Sequence, residues 1–546
     1  SVDPALYIVV RTHEQRVHRV GGRVVDALSG EVLSGARVEL LPLARVTWSD
    51  ESGRFLFDAL ATGEDYRLLA TIEDYARGET RLRIEASSSA AVDSTIRLHR
   101  VALDTVVVEA SRYALAAESA SGAQRVDAVD LANQPEVADD PIRALRRLPG
   151  VIQGGVSAAS NLRGGETNEV LVLLDGFPLR QVYHLPGYQS PFSMLEDDLI
   201  GKIEVYTGGF PARYGNRLAG VFDISTIKGA AAPKSSLGLS LFNAHARTAG
   251  QTADGSTDLR AAARFGTLRP VLESLSVDTG RPGFSDVSLA ATHRLDSLEL
   301  SGNFLWAADE YLLDDDDESA EVQSRTRYAW LRADHAPSEN VSSSVWLGHS
   351  NIVIDRSGSM DKPEFATGNA IEHRDAELWD ARGNINWQWS ERSRLNAGFE
   401  WTHGRADYRY DSSVSFAPAL AELFGREENF SHALRLAPKQ RRAALFVSQR
   451  WKLGEHWMPE VGLRVQDVRV GALHERTSDP RVSVRWELGP RTGLRAHWGQ
   501  FHQADEVQEL AIADGVTEFV RAQRSDHLIF GLEHRFTNGV QLRAEA

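Results

Sequence analysis

Hydrophobic and polar residues alternate along the second half of the chain. In RVSVRWEL, Val482, Val484, Trp486 and Leu488 share one face of an extended segment, and Arg481, Ser483, Arg485 and Glu487 share the other. LELSGNFLW sets Leu298, Leu300, Phe304 and Trp306 against Glu299, Ser301 and Asn303, and RLNAGFEWT sets Leu395, Ala397, Phe399 and Trp401 against Arg394, Asn396 and Glu400. This period predicts strands with one greasy and one polar face over residues 233–546. Residues 20–100 read instead as short strands between turn signals, GGRVVDALSGEVLSGARVELL, SDESGRFLFDAL, EDYRLLATI and TRLRI, the pattern of a small β-sandwich. Between 126 and 232 helix and strand signals mix. DDPIRALRRLPG predicts a helix with Asp140 as its cap, Pro141 at its first position and a stop at Pro149 and Gly150. EVLVLLDGFPL predicts a buried strand ending in an Asp-Gly turn, and KIEVYTGGFPARYGNRLAGVFDIST a strand, a glycine-rich turn region and a second strand. Together they describe a compact α+β unit of about 100 residues.

Alternation alone fits a soluble sandwich or a membrane barrel, so composition has to discriminate. Eleven of the twelve tryptophans lie beyond residue 300, often near predicted strand ends, as in the aromatic girdles of a membrane barrel. No run approaches the roughly 18 apolar residues of a membrane-spanning helix, whereas barrel strands leave overall hydropathy looking soluble. The formal charge of -16 gives no support for nucleic-acid binding. The absence of cysteine removes disulfides, thiolate nucleophiles and Cys-ligated zinc. A start at Ser1 is consistent with a removed signal peptide or a cut boundary.

The middle zone carries the most specific strings. NLRGGETNEVLVLLDGFPL and IEVYTGGFPARYGNRLAGVFDISTI resemble the plug domain of TonB-dependent outer-membrane receptors. In that family an I/L-R-G turn, a strand ending in DG and an IEV..G....YG...GGV.I.T segment recur in this order. The match falls on Arg163, Gly164, Gly165, Asp175, Gly176, Ile203, Glu204, Val205, Gly208, Gly209, Arg213, Tyr214, Gly215, Gly220 and Val221, with Ala219 standing where the family usually has glycine. The glycines allow positive φ or close backbone approach in a confined lumen. Arg163 and Glu204 are candidates for charge pairing between plug and barrel wall.

Upstream, GRVVD..SGEVLSGARVEL..SDESGRFLFDALATGEDYRL resembles the carboxypeptidase-regulatory-like domain, a transthyretin-like sandwich with turn glycines at Gly30, Gly35, Gly53 and Gly63. Beside a plug, LDTVVVEASR resembles a TonB box, which adds as a strand to the periplasmic domain of TonB. Its core is Asp104, Thr105, Val106, Val107, Val108, Glu109 and Ala110, and the alternative is a last sandwich strand.

Three strings suggest metals. IVIDRSGSM resembles a metal-dependent adhesion site, but no helix pattern follows it, so Asp355, Ser357 and Ser359 are expected at a loop tip between two strands. LLDDDDESAE lacks the glycine and spacing of a calcium loop and reads as an external loop. HEQRVH spaces His13 and His18 five apart, missing the interval of a zinc protease helix. No metal, cofactor or catalytic constellation is expected, and hence no enzyme.

The expected chain is mainly β: a leader of unknown role (1–19), a transthyretin-like sandwich (20–100), a TonB box and linker (101–125), an α+β plug (126–232) and an antiparallel transmembrane β-barrel (233–546). The resemblance implies import of a nutrient (an iron chelate, cobalamin, a glycan or a peptide) across the bacterial outer membrane, with TonB, the ligand and outer-membrane lipid as partners and the N-terminal domains in the periplasm. The substrate-binding residues stay unassigned. A passive porin or adhesin-type barrel, or a soluble β adhesin with a metal at Asp355, are the rival readings. Roughly fourteen alternating segments fall short of the about 22 strands of plugged barrels, so the barrel is expected to be incomplete at its C-terminus.

Overall fold

The computed structural model describes residues 18–98, 122–227, 234–269 and 280–546, apart from 27–29, 42, 44, 61–64, 73–74, 76–77, 84–91, 129–130, 132–139, 187–188, 426, 455, 490 and 537–540. The leader, the segment Asp104 to Ala110 and Gly63 fall outside the described residues. The chain divides into two compact units at Val106.

The first unit contains two sheets. One orders the strands Arg54–Leu60, His18–Asp26 and Val92–Leu98, and the other Arg45–Trp48, Arg37–Leu41, Asp65–Thr71 and Gly78–Arg83. Alternate residues point into the layer between them, so Val20, Val24, Val38, Leu40, Phe55, Phe57, Leu68 and Ile96 form one core.

In the second unit the plug sheet runs Phe177–Leu179, Val170–Leu174, Gly220–Thr226, Ile200–Tyr206, Gln124–Asp127. Val170–Leu174 pairs in parallel with Gly220–Thr226 and is buried at every position, which explains its unbroken VLVLL sequence. Its hairpin partner follows a two-residue turn in which Asp175 and Gly176 take φ of 49° and 83°. These left-handed values at both positions match the twist of the flanking strands, and Asp-Gly tolerates them best. The predicted helix at Asp140 is instead a short 3-10 turn, Arg143–Arg147. Asp140 does cap it, accepting from the backbone N–H of Ile142 (2.9 Å) and Arg143 (3.1 Å).

The third zone forms one antiparallel sheet of sixteen strands, from Lys234–Leu239 to Gln541–Glu545, rather than the roughly fourteen expected. Asn429–Leu436 lies off the main path and pairs only with the far end of Ser393–Phe416. Each terminal strand has one strand neighbour among the described residues.

The wall alternates as the sequence predicts. Val345, Leu347, Phe399, Leu445 and Val482 are exposed on the outer face, while Ser344, Asp380, Glu400, Arg442 and Arg481 are buried on the inner one. Strands such as Ala366–Ser390 reach 25 residues, far beyond the roughly 10 that cross a bilayer, and project past one rim. Trp387, Trp389, Trp457 and Trp486 are exposed close to the short-turn ends of their strands, where a girdle belongs. Trp330 and Trp346 depart from that expectation because they point inward onto the plug.

Asp355, Ser357 and Ser359 occupy no loop tip. They lie within the strand Val341–Lys362, paired on both sides, and Asp355 bonds His373 at 2.6 Å. On an extended strand, side chains two residues apart sit roughly 7 Å from each other, so the three cannot converge on one ion. The adhesin reading fails on that spacing. Of the acidic run LLDDDDESAE, expected as an external loop, only Asp315, Asp316 and Asp317 form the turn, and the rest pairs as the ends of Leu298–Asp314 and Glu318–Ser338.

Candidate functional site

The inner wall of the sheet and the plug meet through charged side chains, and chain direction determines which ones. The Asp-Gly turn sends Phe177–Leu179 back along the plug, so the next residue, Arg180, reaches the wall fully buried. Its guanidinium forms two 2.8 Å bonds to the carboxylate of Asp380, and its Nε donates to Glu506 at 2.6 Å. The Tyr328 hydroxyl accepts from the backbone N–H of Arg180 (3.0 Å) and Gln181 (2.7 Å), anchoring the same turn to a neighbouring strand. Glu506 also accepts from Arg442 at 2.8 Å and lies 3.6 Å from Arg217, so two plug arginines and one wall arginine surround a single carboxylate.

Four residues further on, His184 is buried with both ring nitrogens on carboxylates, Asp309 at 2.8 Å and Asp286 at 2.9 Å. Burial alone would lower the imidazolium pKa. The two carboxylates outweigh burial and raise it to about 9, so the ring is doubly protonated at neutral pH and bridges two wall strands. Arg264 extends the cluster, 2.9 Å from Asp286 and 3.4 Å from Glu196 of the plug.

A third contact surrounds the glycine-rich segment. Arg481 projects from the wall over the Phe501 ring, 4.2 Å from its centroid, and donates to the backbone carbonyls of Phe210 (2.9 Å) and Tyr214 (2.9 Å). Gly209 N–H donates to His527 at 3.2 Å, and Gly208 packs beside the same ring. Gly215 lies directly under the Arg464 side chain.

The sequence-predicted plug residues separate into two groups. Several touch the wall: Arg163 pairs with Glu545, the Asp175 carbonyl accepts from Trp346 Nε1 (2.9 Å), and the Gly176 carbonyl accepts from Arg382 (2.7 Å). Others stay within the plug. Glu204, expected as a wall partner, faces Lys202 (3.0 Å) and Arg213 (3.7 Å) instead, because its strand lies inside the plug sheet. The Tyr214 hydroxyl donates to Asp223 at 2.6 Å beneath the Arg213 guanidinium. Gly164 and Gly165 form the turn after Ser160–Leu162, and Gly220 opens the strand that follows the glycine-rich segment.

Sequence reading missed Arg180, His184, Asp380, Arg442 and Glu506. The separations of 200 and 326 residues between Arg180 and its two partners leave no local spacing to read.

Residues 237–544 match the family described as TonB dependent receptor-like, beta-barrel. Residues 116–221 match the TonB-dependent Receptor Plug Domain, and 19–98 the Carboxypeptidase regulatory-like domain. No curated protein matches the sequence. Among solved structures, the chain is similar to the siderophore receptor PiuA from Acinetobacter baumannii, with a TM-score of 0.59 and 9% identity over 78% of this chain and 71% of that one. It is also similar to the siderophore receptor PirA from Pseudomonas aeruginosa (0.54, 16%, covering 77% and 72%) and to the unliganded ferric citrate transporter FecA (0.53, 14%, covering 76% and 68%). Identities this low carry the fold and not the ligand.

Proposed function

Because the chain belongs to the TonB-dependent receptor family, we propose that it imports a nutrient across the bacterial outer membrane by a plug rearrangement that TonB drives. The observation that carries this reading is a plug held to the inner wall through buried ion pairs at Arg180 and His184. Buried pairs of this kind specify register, and they can exchange partners without loss of apolar packing. A passive porin has no use for such a plug. Members of the family are transporters rather than enzymes.

The rim from which the long strands project is the outer one, since barrels of this class carry short periplasmic turns and longer external loops. The family reading puts the sandwich and the segment from Asp104 to Ala110 in the periplasm. There the β-branched run adds as a strand to TonB, with backbone hydrogen bonds supplying affinity. Ligand binding at the outer face and strand capture at the inner one must be coupled through the plug, which makes the plug the two-state element. Iron chelates, cobalamin, glycans and peptides all remain compatible cargo.

The test is the affinity of the detergent-solubilised chain for the periplasmic domain of TonB, compared with Val107→Pro. Proline removes a backbone donor from the added strand, so binding should fall at least about tenfold while the fold persists. Equal binding by both proteins would remove the segment from this role.

A further inference from the structure

The segment 504–522 joins Thr492–Gln503 to Gln523–Arg535 at the outer rim, yet its first half does not stay outside. Ala504, Glu506, Val507, Leu510 and Ile512 are buried against the inner wall. Val507 N–H donates to the Gln440 side chain at 2.7 Å, and Leu510 N–H to the Tyr408 hydroxyl at 3.2 Å. The segment therefore folds inward and lowers the carboxylate of Glu506 between Arg180, Arg217 and Arg442.

Charge is dense in this place. A small cavity beside Glu506 is lined by Arg180, Arg217, Arg382 and Arg442 and by Asp380, Glu400 and Glu506, and the Glu509 carboxylate accepts from the Glu506 backbone N–H at 2.7 Å. The Nε atoms of Arg217 and Arg442 are buried with no hydrogen-bond partner among the described residues. Unsatisfied buried donors are costly, so donors left in this state beside a cavity mark a site built for more acceptors than the chain supplies. The inserted segment is itself acidic, with Asp505, Glu506, Glu509, Asp514 and Glu518 against Arg521 alone, five negative charges to one positive.

We infer that Glu506 is an internal stand-in for an anionic ligand: an oxyanion-bearing cargo displaces its carboxylate from Arg180, Arg217 and Arg442, and the segment 504–522 withdraws from the lumen. This deepens the import reading and rests on it. Guanidinium forks suit carboxylate or phosphate oxygens equally, so the chemistry shared by both is what the site selects. Displacement also couples ligand to plug, because Arg180 and Arg217 belong to the plug and exchange a partner held by the wall-anchored segment for one carried by the cargo.

The experiment measures binding of tricarballylate and of inorganic phosphate to the full chain in detergent by calorimetry, with maltotriose as the neutral control. Glu506→Gln removes the internal competitor and raises the competent fraction, so at least one anion should bind about tenfold more tightly to the variant than to the wild type. Arg442→Gln should abolish that binding. The arm that binds separates carboxylate from phosphate recognition. A contact that merely supported the fold would give the opposite sign, so equal or weaker binding of both anions by folded Glu506→Gln overturns the proposal, as does tight binding of maltotriose alone. Hydrogen exchange on the wild-type chain gives a second readout independent of any variant. Saturating anion should speed exchange at the Val507 and Leu510 amides, and unchanged or slower exchange overturns withdrawal. Neither measurement involves TonB, so a failed Val107→Pro comparison leaves both readouts intact.

Discussion

At the scale of single residues, the plug depends on close backbone approach. A Cβ on Gly220 would stand 2.2 Å from the carbonyl oxygen of Tyr206 and 2.4 Å from Leu162. The first neighbour is backbone held in the sheet, so it cannot turn aside. Gly220→Ala should therefore destabilise the plug by about 1–3 kcal/mol, the usual range for forcing extra carbon into a packed interior. Urea unfolding followed at a plug-specific probe checks this, and an unchanged midpoint would mean that the strand pair shifts more readily than its hydrogen bonds imply. The glycine-rich string in the sequence indicated this requirement. Glu204 shows the limit of such reading: its string identified a plug strand correctly but could not say which way the side chain faces, and its partners are within the plug.

Among the elements, the barrel strands obey one rule, apolar outward and polar inward, and its consequence differs by face. Leu445 sits midway along Lys439–Trp451 with 62% of its surface exposed on the outer face. Leu445→Arg should cost about 2–4 kcal/mol in a bilayer, as a cation at membrane mid-depth does, and much less in a zwitterionic detergent that hydrates the outer face. Unfolding of the reconstituted and micellar proteins, compared side by side, tests this. An equal cost in both would place Leu445 against protein rather than lipid. Alternation made these strands legible because a two-residue period is local. It did not resolve the strand containing Asp355, since Asp, Ser and Gly in series suggested a turn whereas pairing on both flanks holds them extended.

In the molecule as a whole, plug and wall are joined by groups that titrate. His184 has its pKa raised above the unfolded value, so the stability it contributes is complete below about pH 6.5 and is lost as pH rises through about 9. The loss is on the order of 3 kcal/mol, because the neutral ring can donate to only one of Asp286 and Asp309. Thermal unfolding between pH 6 and 10 should show this fall in the wild type and a flatter profile in His184→Gln; identical slopes would remove His184 from the linkage. The sequence by itself determined the three zones, the plug strings, the hairpin turn at Asp175 and Gly176 and the two-faced barrel strands, because each is written in neighbouring residues through period, turn chemistry and glycine placement. Only the tertiary structure decided that Arg180 meets Asp380 and Glu506, that His184 bridges Asp286 and Asp309, and that 504–522 folds inward. These pairs form where a chain returning from a distant strand brings opposite charges together in a space closed to water, and no spacing along the sequence encodes that return.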